Sequence, residues 1–85
     1  MSEAVAVQLA PVRYLGTVKW FSDERGWGFI TPYQKTPVLA ERDLFLHRRA
    51  LGDLDPGLLV DGARVSFSVG EHRGRPTAVA VRLES

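Results

Sequence analysis

From Tyr14 onward the chain is a succession of short apolar runs broken by turn residues. Three runs dense in Val, Ile, Phe and Trp come first: Tyr14 to Phe21, Trp27 to Thr31 and Leu44 to His47. Two more follow, at Arg64 to Val69 and Thr77 to Leu83. The separators are residue types that bend a backbone: Ser22-Asp23-Glu24-Arg25-Gly26, then Pro32 and Pro37, then Asp53 to Gly62, then Gly70 to Pro76. Runs of that length and composition, bounded that way, read as β-strands. No stretch repeats its apolar positions at 3.6 residues for long enough to make a substantial helix, so only a short helical turn is expected, around Ala50 to Leu54. Five short strands in so small a chain predict a closed or partly closed barrel, because closure removes the unpaired edges of a small sheet. Residues 1 to 13 lack the alternation of bulky side chains and meet Pro11. They are expected to form a flexible tail ahead of a domain spanning 14 to 85.

Period-two alternation then assigns side chains to faces. Trp27 and Phe29 point one way and Gly28 and Ile30 the other; Phe45 and His47 share a face opposite Leu44 and Leu46. Both sides of these strands therefore carry apolar groups, and a barrel has one interior. With Ile30, Leu44 and Leu46 inside, joined by Val65, Phe67, Val69, Val79 and Val81, the rings of Trp27, Phe29 and Phe45 are displayed outside. An exposed patch of large aromatics calls for a partner. Basic residues are interleaved with it: Lys19 beside Trp20, Arg25 before Trp27, and Arg48 and Arg49 after His47. Rings of this kind stack on unpaired bases while cations follow the phosphates, and Arg can itself stack through its planar guanidinium. Gly26 and Gly28, flanking Trp27, suit a strand that curves tightly and lets another backbone or a ligand come close.

Composition narrows the picture without changing it. The chain has 85 residues, 45% of them hydrophobic and 25% charged, enough for one small globular domain. Eleven basic residues against 10 acidic leave a net charge of only +1. Bulk electrostatics therefore does not announce a polyanionic partner, and the placement of the rings has to carry that inference. With no cysteine and two histidines far apart in sequence, neither a disulfide framework nor a metal site is expected. No apolar run approaches the roughly 20 residues that span a bilayer, and Met1 to Ala10 lacks the basic start of a secretory signal. The expectation is a soluble, cytoplasmic monomer with no cofactor, no membrane and no small-molecule substrate.

The motifs resemble a known family. Gly16-Thr-Val-Lys-Trp-Phe-Ser-Asp-Glu-Arg-Gly-Trp-Gly-Phe-Ile30 is similar to the opening of the bacterial cold-shock proteins and the related Y-box domain. Within it, Arg25 to Ile30 resembles the first ribonucleoprotein-type motif of that family, and Asp43-Leu-Phe-Leu-His47 resembles the second. Gly62 to Phe67 and Arg75 to Val81 resemble its fourth and fifth strands. The resemblance implies an all-β fold, a five-stranded antiparallel OB-fold barrel, and a protein that binds single-stranded RNA or DNA as an RNA chaperone or a regulator of transcription or translation. It further implies that Trp20, Trp27, Phe29, Phe45 and His47 form a base-stacking platform, with Lys19 and Arg25 as backbone-charge contacts and Asp43 as an acceptor for a base edge. Phe21 joins them only if a bulge interrupts the alternation after Trp20. The chain departs from the family pattern at Arg48, where a ring is usual, so a cation replaces one stacking surface. It departs again at Asp53 to Gly57, which lacks an aromatic, in the longer connection from Thr31 to Arg42, and at Arg75 and Ala80, where Gly and Asn are usual.

Two other function classes fare less well on the sequence. An enzyme finds no support: there is no set of paired carboxylates, no Ser-His-Asp arrangement and no phosphate loop, and Gly26-Trp-Gly28 is too short for a dinucleotide fingerprint. A small barrel using the aromatic face as a peptide groove is the remaining alternative, against which the interleaved cations speak. His72, in a hairpin with Arg73 and Arg75, reads as part of a solvated turn.

Overall fold

The computed structural model describes residues 12–34 and 43–84. The tail up to Pro11, most of the connection after Pro32 and the final Ser85 lie outside the described residues. The five strands are β1 (Tyr14–Ser22), β2 (Trp27–Pro32), β3 (Leu44–His47), β4 (Arg64–His72) and β5 (Arg75–Leu83). They close into a barrel in the order β1-β2-β3-β5-β4. Four of the seams are antiparallel. At the fifth, β3 and β5 run parallel, with Phe45 opposite Thr77 and Leu46 opposite Ala78. The expectation of an antiparallel barrel is corrected at that seam. The connection between β3 and β4 carries the chain to the far edge of β1, so β5, antiparallel to β4, runs alongside β3 in the same direction.

The turns form for local reasons. In the first hairpin the Gly26 amide donates to the Ser22 carbonyl at 2.7 Å, and Gly26 takes φ of 83°. That left-handed geometry suits a residue without Cβ. The β4–β5 hairpin turns on Arg73 and Gly74, both with positive φ, the two-residue connection that matches strand twist. The helical turn expected at Ala50 to Leu54 lies slightly earlier, as a 3-10 turn over Arg48–Leu51, and a second one follows at Pro56–Leu58. Asp55 caps the second through Oδ1, which accepts from the Gly57 amide at 2.9 Å.

Val18, Ile30, Leu44, Leu46, Val65, Phe67, Ala78 and Val81 fill the interior, with Leu51 and Leu59 closing one end. Two bulges decide which side chains reach it. In β1, Val18 opposes Ile30 while Trp20 opposes Phe29, so Lys19 is the extra residue. In β5, Arg82 opposes Ser66 while Val79 opposes Ser68, and the surplus residue sits at Ala80, whose φ is 50°. The second bulge corrects two core expectations. Ala78 and Val81 point inward, Val79 is turned outward and only half buried, and Val69 packs at the margin of the core. The same bulge fixes Arg13. Its guanidinium donates to the Ala80 carbonyl and to Ser66 Oγ, each at 2.7 Å, so Arg13 belongs to the barrel and not to the tail. Partial burial there lowers the Arg13 pKa, with Arg82 acting in the same sense and Glu84 against it.

Candidate nucleic-acid interface

The bulge at Lys19 builds the site. Without it, the inward Val18 would send Trp20 inward as well; with one extra residue, Trp20 emerges outside, directly opposite Phe29. Phe29 in turn opposes Phe45, and Trp27 opposes His47. Gly28 makes the curvature possible: a Cβ there would come within 2.6 Å of Phe21 Cα, and closer still to the Trp20 carbonyl oxygen. The close approach expected at this glycine is that of the β1 backbone.

The result is one continuous array of rings on the outer surface of β1, β2 and β3. Trp20 lies 5.1 Å from Trp27 and 5.5 Å from Phe29 between ring centroids, both edge to face. Phe29 meets Phe45 at 5.9 Å, also edge to face, and Phe45 continues to His47 at 6.3 Å. In the edge-to-face pairs the rim of one ring meets the face of its neighbour, so the rings brace one another. Trp20, Trp27, Phe29 and Phe45 are half buried and His47 is exposed. The His47 Nδ1 accepts from the Arg49 amide at 3.1 Å, which leaves Nε2 as its remaining polar atom.

Not every residue expected at the site joins it. Phe21 opposes Gly28 and packs against the core, because the bulge precedes Trp20 and leaves the alternation between residues 20 and 21 intact. It stands on the opposite face from the rings, which corrects its placement among them. Lys19 and Asp43 are together, but bound to each other: Nζ meets Oδ2 at 2.7 Å. Thr31 Oγ1 donates to the other carboxylate oxygen at 3.0 Å. The hydrogen bond from Lys19 lowers the Asp43 carboxyl pKa most; burial opposes it, and the weaker hydrogen bond from Thr31 and attraction of the ammonium add to the lowering, so the carboxyl stays below its ordinary value. The pair therefore persists at neutral pH and is released only in acid, as pH falls through that lowered value.

Arg48 does not lie across the rings. Its guanidinium donates to the carbonyl and to Oδ1 of Asp23, the latter at 2.9 Å, and its side chain covers Gly26. Arg25 is exposed in the first hairpin, with no carboxylate partner among the described residues. A cation outside the expected set takes a place on the face itself. Arg75 Cζ sits over the Phe45 ring, 5.9 Å from its centroid. The signal for it was present in the sequence, since Arg75 and Thr77 share a face by alternation, but connecting that face to Phe45 requires the parallel β3–β5 seam. Arranged in this way, the surface offers flat apolar stacking positions bordered by a few cations. It holds no cluster of potential metal ligands among the described residues.

Comparison with known proteins agrees with this geometry. Residues 14–84 match the family model described as the 'Cold-shock' DNA-binding domain. The chain is 38% identical over 68 residues to a cold shock protein of Arthrobacter globiformis, covering 80% of this chain and 94% of that protein. It is 46% identical over 55 residues to cold shock protein CapB of Pseudomonas syringae pv. tomato, covering 65% and 71% respectively. Among solved structures, drosophila Unr CSD456 superposes with a TM-score of 0.64 at 23% identity, covering all of this chain and 32% of that one, a likeness of fold.

Proposed function

This chain belongs to the cold-shock domain family, whose members are in general nucleic-acid-binding proteins, and on that premise we propose that it binds single-stranded RNA or DNA by stacking unpaired bases on Trp20, Trp27, Phe29, Phe45 and His47. The observation that carries this reading is the unbroken ring array, turned outward by alternation in β2 and β3 and, at Trp20, by the Lys19 bulge. Each stacked base contributes about 1–3 kcal/mol, and the contribution tolerates any sequence because every base has a π-face. Arg25 and Arg75 supply phosphate contact beside the rings. Lys19, Asp43 and Arg48 act through their ion pairs, so a strand that uses their charges has to share or displace a carboxylate partner. In the cell this corresponds to a cytoplasmic RNA chaperone or a regulator of transcription or translation.

The test is a titration monitored by tryptophan emission. A single-stranded oligothymidylate and its RNA counterpart are expected to quench Trp20 and Trp27, and a duplex of equal length to bind far more weakly, since its bases are not free to stack. Quenching by duplex as strong as by single strand, or no quenching by either nucleic acid, would remove the stacking reading and leave the face to a peptide.

A further inference from the structure

Beyond the rings the outer surface does not flatten. It continues across the parallel seam into a groove of about 440 Å³ between the Arg48–Leu51 turn and the β4–β5 hairpin. That size falls within the roughly 300–1,000 Å³ of small-ligand clefts. Phe45 and His47 form its near wall, so it is continuous with the aromatic face. Arg49, Glu71 and His72 also line it, and Val79 with Ala80 contributes apolar surface. The groove exists because of the β5 bulge. Regular alternation from the inward Ala78 would make Val79 outward and Ala80 inward; the extra residue puts both on the outside before Val81 returns to the core. Arg13 pins that bulge through the Ala80 carbonyl, so the wall is preformed.

We propose that this groove receives the nucleotides of a bound single strand that run past Phe45 and His47, a base resting against Val79 and the following phosphate meeting Arg49. The inference rests on the single-strand reading above. Continuity with the ring array and Arg49 point to this occupant: Arg49 is exposed and has no carboxylate partner among the described residues, and with Glu71 also lining the groove it is the place there for a phosphate. An apolar wall beside a cation is the pairing that a base and its phosphate require. The five rings account for about one base each, so the groove extends the footprint by one or two nucleotides beyond what the platform alone holds.

Affinities are measured by tryptophan quenching for oligothymidylates of about four to about eight nucleotides, in the native protein, Val79→Phe, Arg49→Ala and Phe29→Ala. Val79→Phe fills the groove. Arg49→Ala removes its cation and leaves the backbone amide on His47 in place. In the native protein, affinity is expected to rise roughly five- to tenfold beyond about five nucleotides, over and above the gain from added binding registers. Both groove variants are expected to match the native protein on the shortest strands and to lose that rise. Native affinity that stops rising at about five nucleotides, or an Arg49→Ala ladder superimposable on the native one, overturns the proposal. A Val79→Phe protein weakened equally at every length has a damaged platform, and Arg49→Ala then decides alone. Phe29→Ala separates the two readings: it weakens every length if the ring platform binds, whatever the groove does, and no loss at any length defeats the platform itself.

Discussion

Strands β2 and β3 carry two sets of side chains of similar hydrophobicity into opposite environments. On the inner side Ile30, Leu44 and Leu46 are 0–1% exposed; on the outer side Trp27, Phe29 and Phe45 keep part of their surface in solvent and His47 is exposed. The sorting follows strand alternation. Branched aliphatics and Phe67 fill the interior, with Tyr14 and Phe21 packed at its margin, while Trp20, Trp27, Phe29 and Phe45 lie outside and brace one another at 5–6 Å. The difference teaches that hydrophobicity has two uses here. The inner set contributes to the free energy of folding, and the outer set is retained at some cost in exposed apolar area, which a binding partner would cover.

The largest expected effects come from breaking the inner side. Leu46→Ala leaves a cavity in a closed interior and is expected to lower unfolding free energy by about 2–5 kcal/mol. Gly28→Ala forces a methyl against the β1 backbone and should cost at least about 3 kcal/mol. Chemical denaturation measures both, and loss below about 1 kcal/mol in either would mean the interior is looser than described. A smaller effect is expected where the inside–outside alternation of β5 switches. Arg13→Ala removes two hydrogen bonds from the bulge on a half-exposed side chain, and should cost roughly 1 kcal/mol. Unchanged stability would show that the bulge holds itself.

Ala80→Gly at the same bulge should act the other way. An L-residue at φ of 50° carries strain that glycine relieves, so a gain of about 0.5–1 kcal/mol and a thermal midpoint higher by about 4 °C are expected. A lower midpoint would mean that the entropy of the added glycine outweighs the strain. The smallest effect is on the outer side. With Lys19 and Arg48 already paired to Asp43 and Asp23, and Arg25 and Arg75 available beside the rings, the log–log dependence of single-strand affinity on salt should have a slope near −1.5 for strands confined to the rings and near −2 for strands long enough to reach Arg49. A slope steeper than about −5 would point to a basic surface elsewhere.

Much of this comparison was legible in the sequence. Alternation alone separates Trp27 and Phe29 from Ile30, and Phe45 and His47 from Leu44 and Leu46, and the turn residues locate all five strands, although β4 and β5 extend through most of the Gly70 to Pro76 segment that reads as their turn. What escaped was whatever depended on a bulge or on a contact between distant strands. The extra residue at Ala80 leaves no mark in a pattern of Val and Ala, so alternation places Val79 in the core that Ala78 occupies. The bulge was foreseen near Trp20, yet its position at Lys19 decides that Trp20 turns out and Phe21 turns in. Charges were the least legible. Lys19 and Asp43 are 24 residues apart and Arg48 and Asp23 are 25 apart, and nothing in their local sequence announces that they neutralise each other. Arg75 was visible as a departure from the family pattern, but its place over Phe45 depends on the parallel seam.

The claim that the outer rings serve binding and the inner residues serve folding meets its most direct test in Phe29→Ala, with single-strand affinity and unfolding free energy measured on the same preparation. Phe29 stands at the centre of the array, touching Trp20, Trp27 and Phe45, while its strand neighbours Gly28 and Ile30 are buried. The account predicts an affinity loss of about 1–3 kcal/mol with most of the stability retained. A stability loss on the order of 3–5 kcal/mol, with the affinity of the remaining folded protein unchanged, would contradict it and make Phe29 a core residue.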